Sequence, residues 1–220
     1  PRNPWYDWFE EPNYDDCLES VYSDIAYNSA IVNHDGSYWM NDNPYVHYLR
    51  DLDKKYNKLK PHIVGSIDSM YRREFQGNTV LGIMARGSEY RYNHVVGRFF
   101  DLPDYLRRVD EILVDNPAIN KIFLVTDEEA WIEPFKKEFP NTVYCENVAR
   151  RTTQTDVYIH QNPHWWADTV RPNHASLLGQ ECLIQAHLLA KCNILFGKLS
   201  GFINGAMLFN ENITNCMFVE

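Results

Sequence analysis

The residues best suited to chemistry form three short clusters, each following an apolar run. Arg86-Gly87-Ser88-Glu89 follows Thr79–Ala85, Asp127-Glu128 follows Lys121–Thr126, and Lys198-Leu199-Ser200-Gly201 follows Asn193–Phe196. A guanidinium presents a planar fork of donors that matches a phosphate group. Gly197 and Gly201 permit close backbone approach, and Ser200 stands where it would cap a helix whose free N–H groups favour an anion. Together, the first and third clusters could hold a diphosphate. Each has a plainer alternative: a strand exit with Arg86 paired to Glu89, and an ordinary glycine-rich turn. Asp127 and Glu128 have two readings as well, hydrogen bonding to a base or ribose, or capping the helix that follows. His94 lies eight residues past Arg86 and could take a proton from an acceptor hydroxyl, or be a loop residue without a role. No metal site is expected. Asp127 and Glu128 are adjacent rather than arranged as Asp-x-Asp, and Pro163 breaks any helix that would pair His160 with His164.

These clusters need a frame. Thr79–Ala85 carries no charge and is almost wholly apolar, the pattern of a strand buried on both faces. A helix is expected from Leu102 to Val114, with Leu102, Leu106, Val109 and Leu113 as its stripe. A strand follows at Lys121–Thr126, then a helix opened by Asp127-Glu128-Glu129 and a strand at Thr142–Cys145. A long loop, 147–173, leads to a helix at Ala175–Lys191, a strand at Asn193–Phe196, a short helix at Phe202–Phe209 and a strand at Cys216–Val219. Alternating β and α segments indicate a parallel sheet. The fold class is α/β: a Rossmann-like, doubly wound parallel sheet of about five strands with an N-terminal helical and irregular arm. Its switch point would bring Arg86–Glu89 and Lys198–Gly201 to the two sides of one crevice.

The arm, 1–76, is expected to be separate from a nucleotide-binding domain, 77–220. Trp5, Tyr6, Trp8 and Phe9 suggest either packing against another domain or a surface that stacks on sugars, and Asp35-Gly36 could turn a hairpin. Helices are expected after Pro44, with Tyr45, Tyr48, Leu49, Leu52 and Tyr56 on one face, and after Pro61, with Ile63, Ile67, Met70 and Tyr71.

Net charge is −9, which argues against a nucleic-acid partner, since that needs a basic stripe. The five cysteines show no Cys-x-x-Cys spacing, which favours reduced thiols over a zinc site. No stretch reads as a membrane span or a signal peptide. The chain lacks an initiating Met, which fits a piece of a longer polypeptide.

Val80-Leu-Gly-Ile-Met-Ala-Arg-Gly-Ser-Glu-Tyr90, Ile122-Phe-Leu-Val-Thr-Asp-Glu128, and Leu188–Phe196 running into Lys198–Gly201 are similar to segments of the fucosyltransferase-like GT-B glycosyltransferases. That group includes core α-1,6-fucosyltransferases, nodulation fucosyltransferases and protein O-fucosyltransferases. The resemblance covers the donor-binding half, from about Val80 onward, and is nearer to a bacterial branch carrying Arg-Gly-Thr-Asp-Tyr. It implies that Arg86 binds the β-phosphate, that Asp127 and Glu128 touch the nucleotide, and that Ser200 and Gly201 receive the diphosphate. Gly87, Ser88, Gln185 and Lys198 would complete the donor site, with His94 or Glu89 as the base. Met84 stands where the family often has His, Gly87 replaces a second Arg, and Gln185 lies near a position that is acidic in some members. The expected reaction is metal-free and cofactor-free transfer of a sugar, with inversion, from a GDP-linked donor (GDP-fucose by resemblance) to a glycan hydroxyl. An N-terminal acceptor domain would be missing from this chain. The expected setting is a bacterial cytoplasm, either free or at the membrane periphery. The alternative is a non-catalytic glycan-binding or scaffolding domain that keeps the fold.

Overall fold

The computed structural model describes residues 5–10, 44–87, 100–152, 171–197, 201–210 and 215–218. Two compact units divide the chain, Pro1–Pro61 and His62–Glu220. The helix that follows Pro61 therefore goes with the sheet, whereas the sequence reading begins that domain at Gly77.

In the first unit, a single helical turn, α1 (Trp5–Trp8), precedes α2 (Pro44–Tyr56). Phe9 forms an antiparallel bridge with Leu59. Glu10 N–H donates to the Lys58 carbonyl at 2.8 Å and Lys60 N–H to the Trp8 carbonyl at 3.0 Å. Phe9 is buried there. The apolar face expected on α2 is only partly covered. Tyr48 is exposed, while Leu49, Leu52 and Tyr56 are half-buried. The expected turn at Asp35-Gly36 lies outside the described residues.

The second unit opens with α3 (Pro61–Met70), which buries Ile63, Ile67 and Met70 and widens into one π-type turn over Tyr71–Phe75. Then come β1 (Val80–Ala85), α4 (Leu102–Asp115), β2 (Lys121–Thr126), a 3₁₀ turn (Glu129–Trp131), α5 (Ile132–Glu138) and β3 (Thr142–Val143). The series ends with α6 (His174–Ala190), β4 (Ile194–Gly197), α7 (Gly201–Phe209) and β5 (Asn215–Phe218). The five strands lie in the order β3-β2-β1-β4-β5, and every pairing is parallel. This is the doubly wound order, with its reversal between β1 and β4.

Alternation along β1 sends its side chains to two cores. Leu81, Ile83 and Ala85 join Tyr105, Val109 and Ile112 of α4, with Trp131, Phe135 and Phe196. The buried stripe of α4 thus runs through Tyr105, Val109 and Ile112, while Leu102, Leu106 and Leu113 only flank it. The capping box at Asp101 and Asp104 sets where α4 begins, and Tyr105 meets Phe196 at 5.8 Å between ring centroids. On the other face Phe75 packs edge-on against Phe123 at 5.2 Å. Each fully buried large apolar side chain contributes about 1.5–3 kcal/mol.

Glycines let β1 and β4 meet closely. A Cβ on Gly197 would lie 2.6 Å from the Met84 carbonyl oxygen, and one on Gly82 would lie 2.7 Å from Cys192 Sγ. Gly197→Ala is therefore expected to cost about 1–3 kcal/mol by urea denaturation. Gly65→Ala, in α3 with nothing within 4 Å of the new methyl, should instead stabilise by about 0.5–1 kcal/mol.

Candidate functional site

β1 and β4 are adjacent and parallel, with Met84 opposite Gly197, so both release the chain at the same edge of the sheet. β2 joins them on β1's other side, with Ala85 opposite Thr126. Arg86, Gly87, Asp127 and Glu128 therefore emerge side by side. Ser88, Glu89, His94, Lys198 and Ser200 lie outside the described residues. Gly201 is the first residue of α7, so the chain turns into a helix soon after leaving β4.

The Asp127 carboxylate does not cap a helix. Its Oδ1 accepts the Gly87 N–H at 2.9 Å, and its Oδ2 stands 3.8 Å from Arg86 Nε. The 3₁₀ turn begins at Glu129 with no side-chain cap, and α5 begins only at Ile132. The capping alternative for Asp127 is thereby overturned. The carboxylate is taken up instead by the Gly87 N–H across the β1–β2 gap. From the β3 side, Arg151 N–H donates to the Asp127 carbonyl at 2.8 Å and Glu129 N–H to the Arg151 carbonyl at 2.9 Å. Asp127 is thus held by Gly87, just past β1, and by Arg151, in the segment that follows β3. Arg86 keeps 24% of its side chain exposed against 9% for Asp127, so the cation and not the carboxylate reaches toward solvent.

Glu128 is also buried, and its side chain fills the space in front of Gly87. A Cβ on Gly87 would run into the Glu128 side chain. Below them the Arg86 N–H points to the Tyr105 hydroxyl at 3.4 Å, and Glu128 N–H donates to Thr126 Oγ1 at 3.2 Å. Tyr105 and Thr126 have no site role in the sequence reading, and Arg151 stands there only as part of the long loop 147–173. Nothing in helical or strand periodicity marks a residue as the support of a neighbouring strand's exit.

α6 brings a further set toward this edge. Burial pushes the Cys182 thiol up to about 11, and the nearby positive charge of Arg86 offsets part of that. One turn on, Gln185 is buried. Its Nε2 donates to the Glu181 carbonyl at 3.1 Å, while its Oε1 has no hydrogen-bond partner among the described residues. Glu181 accepts the Ala149 N–H at 3.0 Å and pairs with Arg171. It therefore links the residues after β3 to those before α6. Burial raises its pKa above the usual carboxylate range, against the lowering pull of Ala149, Arg171 and Arg150. Among the described residues no group of three or more His, Cys, Asp or Glu is arranged to hold a metal ion. No helix among them is long and apolar enough to cross a membrane.

A separate cavity of about 270 Å³ is lined by Tyr71, His187, Ala190, Lys191, Phe209 and Asn210. These residues precede β1, β4 and β5 in the chain, so the cavity lies at the sheet's amino edge, away from Arg86. His187 stacks on Phe209 at 3.9 Å, and burial, then the Lys191 charge, lowers its pKa to about 4. Its unfolded value is near 6.5, so the unfolded chain binds the extra proton between those two values. The stabilising effect of the neutral imidazole is present above pH 6.5 and is lost as pH falls toward 4. His187→Phe should flatten that part of the stability–pH curve in urea melts. At the other edge, Gly87→Ala is expected to destabilise by about 1–3 kcal/mol. Glu128→Ala in the same background should recover part of the loss, since it removes the obstructing atoms.

No protein-family model matches the chain, and no curated protein matches it. Among solved structures, it is similar to NodZ α-1,6-fucosyltransferase soaked with GDP-fucose, at 20% identity and a TM-score of 0.48, covering 73% of this chain and 46% of that one. It is also similar to POFUT1 in complex with GDP (9% identity, TM-score 0.46, 77% and 49% covered) and to a point mutant of Arabidopsis thaliana FUT1 in complex with GDP (8%, 0.45, 76% and 34%). NodZ from Bradyrhizobium matches at 20% identity with a TM-score of 0.46. The chain thus spans less than half the length of each, and these solved neighbours are fucosyltransferases.

Proposed function

We propose that this chain is the donor-binding half of a glycosyltransferase of the fucosyltransferase-like kind. The observation that carries this reading is Arg86 at the exit of β1, beside the β1–β4 reversal. It is partly exposed, with a helix beginning at Gly201 soon after β4 ends. Doubly wound sheets bind ligands at this reversal, outside the strands' carboxyl ends. A guanidinium on one side and a helix's free N–H groups on the other suit a diphosphate.

In the reaction, a glycan hydroxyl oxygen attacks the anomeric carbon of the donor sugar. The bond from that carbon to the β-phosphate oxygen breaks, and its electron pair leaves with the nucleoside diphosphate. Attack from the opposite face inverts the centre. Arg86 stabilises the charge that builds on the departing phosphate, and pre-organised donors of this kind contribute several kcal/mol. His94 or Glu89 takes the hydroxyl proton. The donor is a GDP-sugar, GDP-fucose by resemblance, and no metal or cofactor is assigned a role. The acceptor would be held by a second domain not included in this chain, at a bacterial cytoplasmic site or the membrane periphery.

Calorimetry with GDP, UDP and ADP tests the reading. GDP is expected to bind, and Arg86→Ala to weaken it about 10- to 100-fold, the worth of a charge-assisted contact. Absence of binding by all three nucleotides, or undiminished binding by Arg86→Ala, would remove the donor site. Saturable binding of an oligosaccharide with no nucleotide binding would favour a glycan-binding domain instead.

A further inference from the structure

The notional partners of Asp127 in a donor site are the base and ribose, yet its carboxylate is turned elsewhere. It is buried to 9% exposure, accepts the Gly87 N–H through Oδ1 at 2.9 Å, and sets Oδ2 3.8 Å from Arg86 Nε. Oδ2 is shut off from solvent and makes no hydrogen bond among the described residues. Turning the carboxylate toward a ligand would give up the Gly87 N–H bond, and the Arg151 N–H bond to the Asp127 carbonyl at 2.8 Å holds the backbone in place. Both residues that the carboxylate faces belong to the β1 exit.

We propose that Asp127 is a positioning residue: it fixes the backbone at Gly87 and the Nε edge of Arg86, so that the guanidinium meets a phosphate already oriented. This rests on the donor-site reading and adds to it that Asp127 makes no contact with the nucleoside. A carboxylate close to a cation at ~4 Å attracts it appreciably even at the effective dielectric of a protein surface. Fixing the cation before the ligand arrives also avoids the ordering cost that binding would otherwise carry. Asp127→Asn keeps the size and leaves an oxygen for Gly87 N–H. It also turns an amide donor toward Arg86 Nε, itself a donor, so the guanidinium loses its anchor.

The test is titration of the whole chain with inorganic pyrophosphate and with GDP. Asp127→Asn is expected to weaken both ligands by the same factor, about 10- to 100-fold, the effect of a misplaced binding group. The double variant with Arg86→Ala should bind no more weakly than Arg86→Ala alone, because the two residues act as one unit. A loss for GDP with pyrophosphate unchanged would overturn the proposal in favour of direct nucleoside contact. Binding by Asp127→Asn equal to the parent chain would overturn it outright, with the donor site intact. If the parent chain binds neither ligand, the donor site and this proposal both fall. A second measurement needs no variant of Asp127. In the parent protein the Arg86 Nε–H, located by Arg86→Lys, should exchange with solvent at least roughly tenfold more slowly than those of exposed Arg72 and Arg107. Equal exchange would overturn the pairing.

Discussion

The structure depends on burying β1 completely. Every residue from Val80 to Ala85 is shielded, with β2 on one side, β4 on the other and side chains packed on both faces. A strand in that position tolerates no charge along its length, because an unpaired charge there would meet a low dielectric with nothing to solvate it. Charge can return only where the strand ends. Arg86 is the first residue past that limit, and the Asp127 carboxylate faces it from just past the end of β2.

That arrangement gathers opposite signs at the carboxyl edge, with the Asp127 and Glu128 carboxylates buried and the Arg86 cation reaching outward. Asp127 is fixed by Gly87 and Arg151, and Glu128 packs onto Gly87. Arg86 remains partly open to solvent. The absence of a side chain at Gly87 is what permits Glu128 to lie where it does. The absence of one at Gly197 is what lets β4 approach Met84. Backbone proximity at two glycines therefore shapes the edge as much as the charged groups do.

Much of the architecture was legible in the chain. The apolar run before Arg86, the alternation of strand and helix segments, and the doubly wound order expected from them are all present in the fold. The errors were local. β3 is only two residues long. The face of α4 runs through Tyr105 rather than Leu102 and Leu106, because the large aromatic reaches Trp131 and Phe196. Of the site residues, Arg86, Gly87, Asp127 and Glu128 come together at one edge. Gln185 is buried on α6 one turn beyond Cys182. Ser88, Glu89, His94, Lys198 and Ser200 fall outside the described residues.

Periodicity and residue type by themselves determined the elements, their order and the edge where charge gathers, because these follow from local burial patterns repeated along each segment. What Asp127 does was decided only by tertiary structure. In sequence it sits just before a helix, where a capping role and a ligand role are equally reasonable. Its actual partners, Gly87 and Arg86, are some forty residues away (|i−j| = 40 for Gly87). They become neighbours only when β1 and β2 pair in register. Short-range sequence rules describe what a residue can do within a turn or two of chain. Which of those options a carboxylate adopts depends on the donors that pairing brings within about 3 Å of it.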